Sequence, residues 1–121
     1  MSPLAAATEL VVRPWGAYQV LEAGDRYQVK RLEVAPGRRL SYQTHALRSE
    51  HWFVVAGTGI ATLDGQLISV EPGASVDVPV QSAHRIQNTG LESLVLIEVQ
   101  RGEYLGEDDI VRLEDDFGRS V

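Results

Sequence analysis

Polar side chains of the kinds that bind metal ions are concentrated in the segment QTHALRSEHW, residues 43–52. It contains Gln43, His45, Glu50 and His51, and so two of the three histidines of the chain. Residues i and i+2 of an extended strand share a face, so Gln43 and His45 project together. An amide oxygen, an imidazole and a carboxylate in an apolar interior need compensation, which a divalent cation supplies by accepting all three as ligands. The segment therefore predicts a metal site.

A later segment, AHRIQN at residues 83–88, supplies the fourth candidate ligand, His84. Considered alone, each candidate has an alternative as a surface residue or a hydrogen-bonded structural residue, which is the commoner fate of a single His or Glu. His51 directly follows Glu50 and therefore points to the opposite face of a strand, so we interpret His51 as structural. The predicted metal ligands are Gln43, His45, Glu50 and His84.

Short apolar segments separated by turns must position these side chains. Turn sequences recur as EAGD, APG, AGTG, DG, EPG and NTG, and the segments between them are rich in Val, Ile, Leu and aromatic residues. This pattern is typical of a β-sandwich or small barrel. We predict a hairpin over 60–70 with a type I′ turn at Asp64-Gly65, and a strand that carries Glu50. Further strands are predicted over 26–34, 39–45, 75–79, 83–88 and 93–100.

Two further features complete the predicted secondary structure. Segment 93–100 is nearly continuous in apolar character, so we expect it to be buried on both faces or nearly so. No stretch has the length and the 3.6-residue period of an amphipathic helix, although the acidic tail at 106–119 is expected to contain one helical turn. The predicted fold class is all-β.

Length, charge and composition restrict the classes of protein that the chain can be. The 121 residues suffice for one hydrophobic core, and we predict a loose arm over 1–12 and a single domain over 13–121. A net charge of −6 opposes binding to nucleic acid, and no apolar run is long enough to span a membrane. There is no cysteine for a disulfide or a thiolate zinc site, and the first residues lack the features of a secretory signal. We expect a cytoplasmic protein.

Two motifs in this order resemble the signature of the cupin superfamily. They are Gly37-x5-Gln43-x-His45-x4-Glu50-x6-Gly57 and Gly73-x5-Pro79-x4-His84-x3-Asn88. In cupins the first motif supplies two histidines and a glutamate to a metal ion, and the second supplies another histidine. Gln43 stands at the position of the first histidine, and Gln81 replaces a glycine of the second motif. The resemblance implies a double-stranded β-helix, the cupin or jelly-roll barrel, over residues 13–121.

The chain is similar along nearly its whole length to type II phosphomannose isomerases, a domain often fused behind a GDP-mannose pyrophosphorylase. The similarity is carried by RPWGAYQVLEAGD and the residues that follow it to His45, by RSEHWFVVAGTG, and by LIEVQRGEYLGEDDIVRLEDDFGR. In this family a glutamine opens the metal motif, so Gln43 matches. Ala46 and Leu47 differ from relatives that carry histidine or aromatic residues there.

This second resemblance implies that the protein interconverts mannose 6-phosphate and fructose 6-phosphate through an enediol, with one divalent metal ion (Zn, Mn, Co, Ni or Mg). A proton must move between C2 and C1, and the candidate carriers are Glu98 and Lys30. Glu98 interrupts an apolar strand and is a candidate for the barrel interior. The alternatives are that Glu98 points outward and that Lys30 points to solvent. The candidates for binding the sugar phosphate are Arg48, Arg101 and Arg112.

Three further expectations remain. The competing function is a small cupin that binds a sugar or metabolite without catalysis, which Ala46 and Leu47 favour, while the match of the tail favours the isomerase. An iron-dependent dioxygenase would favour a more histidine-rich site than one containing Gln43. A homodimer is expected, because a small barrel leaves strand edges and an arm that a second copy could cover.

Overall fold

The computed structural model describes residues 9–118, which form β-strands joined by short turns. The strands are β1 (Val11–Arg13), β2 (Gly16–Gly24), β3 (Tyr27–Val34), β4 (Tyr42–His45), β5 (Arg48–Ala56), β6 (Gly59–Leu63), β7 (Gln66–Val70), β8 (Ser75–Val78), β9 (His84–Asn88), β10 (Leu94–Gly102) and β11 (Ile110–Glu114). One 3-10 turn, Glu107–Asp109, precedes β11. Among the described residues no helix is long and apolar enough to cross a membrane.

The strands form two sheets. The first has six strands in the order β1-β2-β3-β10-β5-β8, and the second has five in the order β11-β4-β9-β6-β7. The paired strands are antiparallel. Buried apolar side chains from both sheets form one core cluster, in which Val34, Leu94 and Leu96 are fully buried. Burial of each such side chain contributes about 1.5–3 kcal/mol to folding, so this cluster holds the two sheets together.

Most of the predicted strands are confirmed. The hairpin of β6 and β7 has positive φ angles at Asp64 (47°) and Gly65 (81°), as a type I′ turn requires. The strand predicted over 39–45 is shorter in the structure, because β4 begins at Tyr42 and Arg39 forms only an isolated bridge. The helical turn expected in the tail is the 3-10 turn at Glu107–Asp109.

Three strands at or near the sheet edges, β1, β2 and β11, were not predicted. Residues 1–8 of the predicted arm lie outside the described residues, whereas Val11 and Val12 are in β1. The expectation that segment 93–100 is buried on both faces or nearly so holds only for its inner face. β10 lies between β3 and β5, but its outward side chains are partly exposed, and Val99 is 37% exposed, because the outer face of the six-stranded sheet has no layer above it within residues 9–118.

Candidate functional site

The candidate site lies between the two sheets, where four strands direct polar side chains inward. Gln43 of β4 is directly opposite His84 of β9, and Glu50 of β5 is opposite Gln100 of β10. Directly opposed residues of antiparallel strands share a face. Gln43, His45, Glu50 and His84 are all buried, with exposures of 2% to 8%. The structure therefore brings the four predicted ligands to one interior region.

Three of these side chains form a cluster with the geometry of a metal site. One ligand atom from each of His45, Glu50 and His84 lies within 4.8 Å of the other two. The Nε2 atom of His45 is 3.4 Å from Oε2 of Glu50, and Nε2 of His84 is 3.5 Å from Oε1 of the same carboxylate. Two imidazole nitrogens and a carboxylate are ligands that zinc and other divalent transition metals accept.

His84 is oriented as a metal ligand. Its Nδ1–H donates to the carbonyl oxygen of Ser82 at 2.9 Å, which leaves the lone pair on Nε2. That buried Nε2 atom has no hydrogen-bond partner among the described residues. Burial lowers the pKa of His84, so the ring is held neutral. A buried lone pair without a donor is unfavourable, and a bound cation would satisfy it.

His45 is also held neutral, but its Nε2 lone pair is already used. Burial, together with the charges of Arg48 and His84, lowers the pKa of His45 to about 3. Its Nε2 accepts hydrogen bonds from Arg48 Nη2 at 3.2 Å and from Gln43 Nε2 at 3.1 Å. The oxygen of Gln43 instead accepts from Ser41 Oγ at 2.5 Å. Gln43 therefore lies at the cluster with its amide nitrogen, not its predicted ligand oxygen, directed toward His45.

Arg48 is a buried cation in contact with this cluster. Arg48, a predicted contact of the sugar phosphate, is the first residue of β5 and is only 3% exposed, on the same face as Glu50. Its Nε donates to Glu50 Oε2 at 2.9 Å. This charge-assisted hydrogen bond fixes the Glu50 carboxyl group in the interior.

Glu98 lies inside the barrel, beside the cluster, and not at an outward position. Trp52 Nε1 donates both to Glu50 Oε1 at 3.2 Å and to Glu98 Oε2 at 3.0 Å, which links the two carboxyl groups. The other oxygen of Glu98 accepts from Gln100 Nε2 at 2.6 Å. Burial and the nearby charge of Glu50 raise the pKa of Glu98 to about 8. Glu98 thus carries a proton near neutral pH and can release it within the physiological range.

Lys30 also points inward, contrary to the solvent-directed alternative. Its Nζ donates to Glu107 Oε1 at 2.8 Å and lies 4.6 Å from the centre of the Tyr18 ring. Burial opposes ionisation of Glu107, but the charges of Lys30 and Arg48 outweigh it and lower the pKa of that carboxyl group.

A cavity of about 130 Å³ opens next to the cluster. Lys30, Gln43, Arg48, Glu98 and Arg112 are among the residues that line it. Within residues 9–118 the lining does not include His45, Glu50 or His84. Gln43, Arg48 and Glu98 lie between the cavity and this cluster. A ligand in the cavity would therefore meet these three side chains before the cluster.

Two predicted positions lie on the outside of the sheet. Arg101 is exposed and is not among the described residues that line the cavity, so the structure does not bring this predicted phosphate contact to the site. Arg101 is three positions after Glu98, and an odd separation along a strand reverses the face. His51 also points away, as expected, with Nδ1 2.5 Å from Asp77 Oδ1.

Four residues of the site were missed by sequence reasoning: Ser41, Trp52, Gln100 and Glu107. The first three carry a signal in the sequence, because each is two positions from a candidate that faces inward. Glu107 carries none. Only the fold brings this residue of the acidic tail against Lys30 and Arg48.

The sequence is similar to known proteins over most of its length. The family model "Mannose-6-phosphate isomerase C-terminal" matches residues 4–115. The alginate biosynthesis protein AlgA of Pseudomonas aeruginosa is 50% identical over 92% of this chain, which covers 23% of that protein. A mannose-1-phosphate guanylyltransferase of Escherichia coli is 50% identical over 90% of this chain and 23% of its own length. The chain thus spans about a quarter of the length of these relatives.

The fold has a matching solved structure. The cupin domain of Cnp3 from Schizosaccharomyces pombe superposes with a TM-score of 0.72 at 13% identity, covering 79% of this chain and 69% of that one. This likeness confirms the predicted all-β cupin fold. The match of the family model over most of the sequence and the two relatives at 50% identity establish that the chain belongs to the family of mannose-6-phosphate isomerase C-terminal domains.

Proposed function

We propose that this domain interconverts mannose 6-phosphate and fructose 6-phosphate with one divalent metal ion. The observation that carries the proposal is the cluster of His45, Glu50 and His84, which lies against a buried carboxyl group, Glu98, at the end of a polar cavity. Family membership supports the same reaction. The proposed location is the cytoplasm.

His45, Glu50 and His84 would hold the metal, and Gln43 would join them through its oxygen after rotation of its amide. A bound divalent ion supplies Lewis acidity, which polarises oxygens of the open-chain sugar. Arg48 orients Glu50 in the interior. Because both imidazoles are neutral, neither would have to lose a proton to bind the ion, although Nε2 of His45 would first have to give up its hydrogen bonds from Arg48 and Gln43.

Glu98 is the proposed proton carrier. As a carboxylate it would take the proton from C2 of mannose 6-phosphate and return it to C1, while the O2 hydroxyl loses a proton and O1 gains one. A pKa of about 8 makes Glu98 a stronger base than an exposed glutamate and keeps it near the operating pH. Lys30 is less suited to this role, because its ammonium group is bound to Glu107. Arg112 lines the cavity and is a candidate for contact with the sugar phosphate.

A coupled assay of mannose 6-phosphate turnover tests the proposal. Protein treated with a chelator is assayed alone and after addition of Mn²⁺, Co²⁺, Zn²⁺, Ni²⁺ or Mg²⁺. We expect turnover only with metal, and a loss of about 10²- to 10⁴-fold in Glu98→Gln. Equal rates with and without metal would reject the metal-dependent reaction, and an unchanged rate in Glu98→Gln would reject the role of Glu98.

The second candidate function is binding of a sugar phosphate without turnover. The observation that favours it is the turn between β4 and β5, where Ala46 and the 44% exposed Leu47 provide no acid, base or metal ligand. Saturable binding of mannose 6-phosphate by metal-loaded protein that shows no conversion would support this candidate over the isomerase.

A further inference from the structure

Two buried cations meet one exposed carboxylate at the mouth of the cavity. Oε1 of Glu107 lies 2.8 Å from Lys30 Nζ and 3.7 Å from Arg48 Nη1. The side chains of Lys30 and Arg48 are 7% and 3% exposed, whereas that of Glu107 is 53% exposed. The cations are therefore fixed in the protein, while their shared counter-ion is at the surface.

The turn that carries Glu107 contributes no buried residue to the core. None of its three residues, Glu107–Asp109, is buried, and Gly106, which precedes them, makes no side-chain cap. The far end is anchored, because Asp109 Oδ2 accepts from the backbone N–H of Leu47 at 2.9 Å. Rotation about this anchor would withdraw Glu107 at little cost in buried apolar area.

The cavity would attract an anion although the chain is acidic overall. The net charge of the chain is −6, yet the described lining contains four basic side chains and two acidic ones: Arg13, Lys30, Arg48, Arg112, Glu98 and Glu107. Because Glu98 carries a proton near neutral pH, the lining has an excess of three positive charges, and removal of Glu107 from the cavity would raise this excess to four. The buried ammonium group of Lys30 requires a counter-ion, so Glu107 can leave it without a large cost only when another anion takes its place.

We propose that Lys30 and Arg48 form a binding seat for the phosphate group of a phosphorylated sugar, and that Glu107 occupies this seat until the phosphate displaces it. A phosphate monoester presents several terminal oxygens and can contact both cations at once, which the single Oε1 atom of Glu107 does only unequally. The identity of the ligand as a sugar phosphate rests on the proposed function, whereas the anion seat and its occupation by Glu107 do not. Lys30 is thereby assigned to binding instead of proton transfer.

Calorimetric titration with inorganic phosphate tests the seat in the chelator-treated full chain, so that neither metal nor turnover is involved. In Glu107→Gln the competing charge is removed, and we expect phosphate to bind at least about fivefold more tightly than in the wild type. Lys30→Met should weaken binding by more than about tenfold. The matched control is Glu92→Gln, which removes the same charge from an exposed turn and should leave affinity unchanged.

The outcomes separate this proposal from the proposed function. If Glu107→Gln binds phosphate no more tightly than Glu92→Gln, the occupation of the seat by Glu107 is wrong. This comparison uses two exposed positions and does not depend on whether Lys30→Met folds. Tighter phosphate binding in Glu107→Gln without any isomerase activity in the wild type would support the seat and reject the reaction. Isomerase activity of the wild type, together with equal phosphate affinities of Glu107→Gln and Glu92→Gln, would support the reaction and reject the occupation of the seat by Glu107.

Discussion

The buried carboxyl group of Glu98 gives the protein a specific dependence of stability on pH. The pKa of Glu98 rises from an ordinary value of 4.5 to about 8 on folding, with burial as the main cause. Between these values the folded chain retains a proton that the unfolded chain has lost. The free energy of unfolding contributed by this group therefore falls as pH rises above 4.5, and the loss is complete a little above pH 8.

The size of the effect follows from the two pKa values. Integrating the difference in bound protons from about pH 7 to about pH 8.5 gives a loss of about 1.3 kcal/mol for this one group. Glu98→Gln mimics the protonated side chain and keeps an oxygen that can accept from Gln100, so this loss should disappear in the variant. His45, with a pKa of about 3, is neutral across this range and contributes almost nothing.

Urea unfolding of chelator-treated protein, followed by the fluorescence of the two tryptophans, measures this difference. The wild type should lose about 1 kcal/mol more than Glu98→Gln between the two pH values. Glu92→Gln, at an exposed position, is the control and should behave as the wild type. Parallel pH dependences of the wild type and Glu98→Gln would refute the claim that Glu98 is protonated inside the folded protein.

Two further predictions concern the surface and the cavity. Arg112→Ala should weaken binding of mannose 6-phosphate by about tenfold, because Arg112 lines the cavity. Arg101→Ala should leave binding unchanged, because Arg101 is exposed on the outside. Equal effects of the two substitutions in calorimetry would contradict this assignment. The protein should be a dimer by light scattering at micromolar concentration, since Phe53, Val55 and Val99 are exposed large apolar residues on the six-stranded sheet; Phe53→Glu should shift it to a single-chain mass, and a monomeric wild type would exclude the dimer.

Strand alternation is the part of the architecture that sequence patterns predict best. It placed Gln43 and His45 on one face and His51 opposite Glu50, and the structure has them so. The same rule, applied consistently to β10, would have placed Arg101 outside. Patterns within a strand are local, and the local signal is strong because every second residue must enter the core.

Features that depend on pairing between distant segments were not predictable in this way. Within the described residues, β11 pairs with β4 alone. Its flanking acidic residues are unfavourable in strands, so the sequence pattern did not indicate a strand there. Glu107 meets Lys30 across a sequence separation of 77 residues, and no local pattern reports such a contact. The orientation of the Gln43 amide depends on its hydrogen bonds with Ser41 and His45, whose positions are also set by the assembled fold.

Titration of chelator-treated protein with Co²⁺, followed by visible absorption, tests most directly whether the cluster of His45, Glu50 and His84 holds a metal ion. The account predicts about one bound ion per chain in the wild type and in His51→Ala, whose imidazole lies outside beside Asp77. It predicts loss of that binding in His84→Ala, checked for folding by circular dichroism. Cobalt binding by folded His84→Ala with the same affinity and spectrum as the wild type would contradict it.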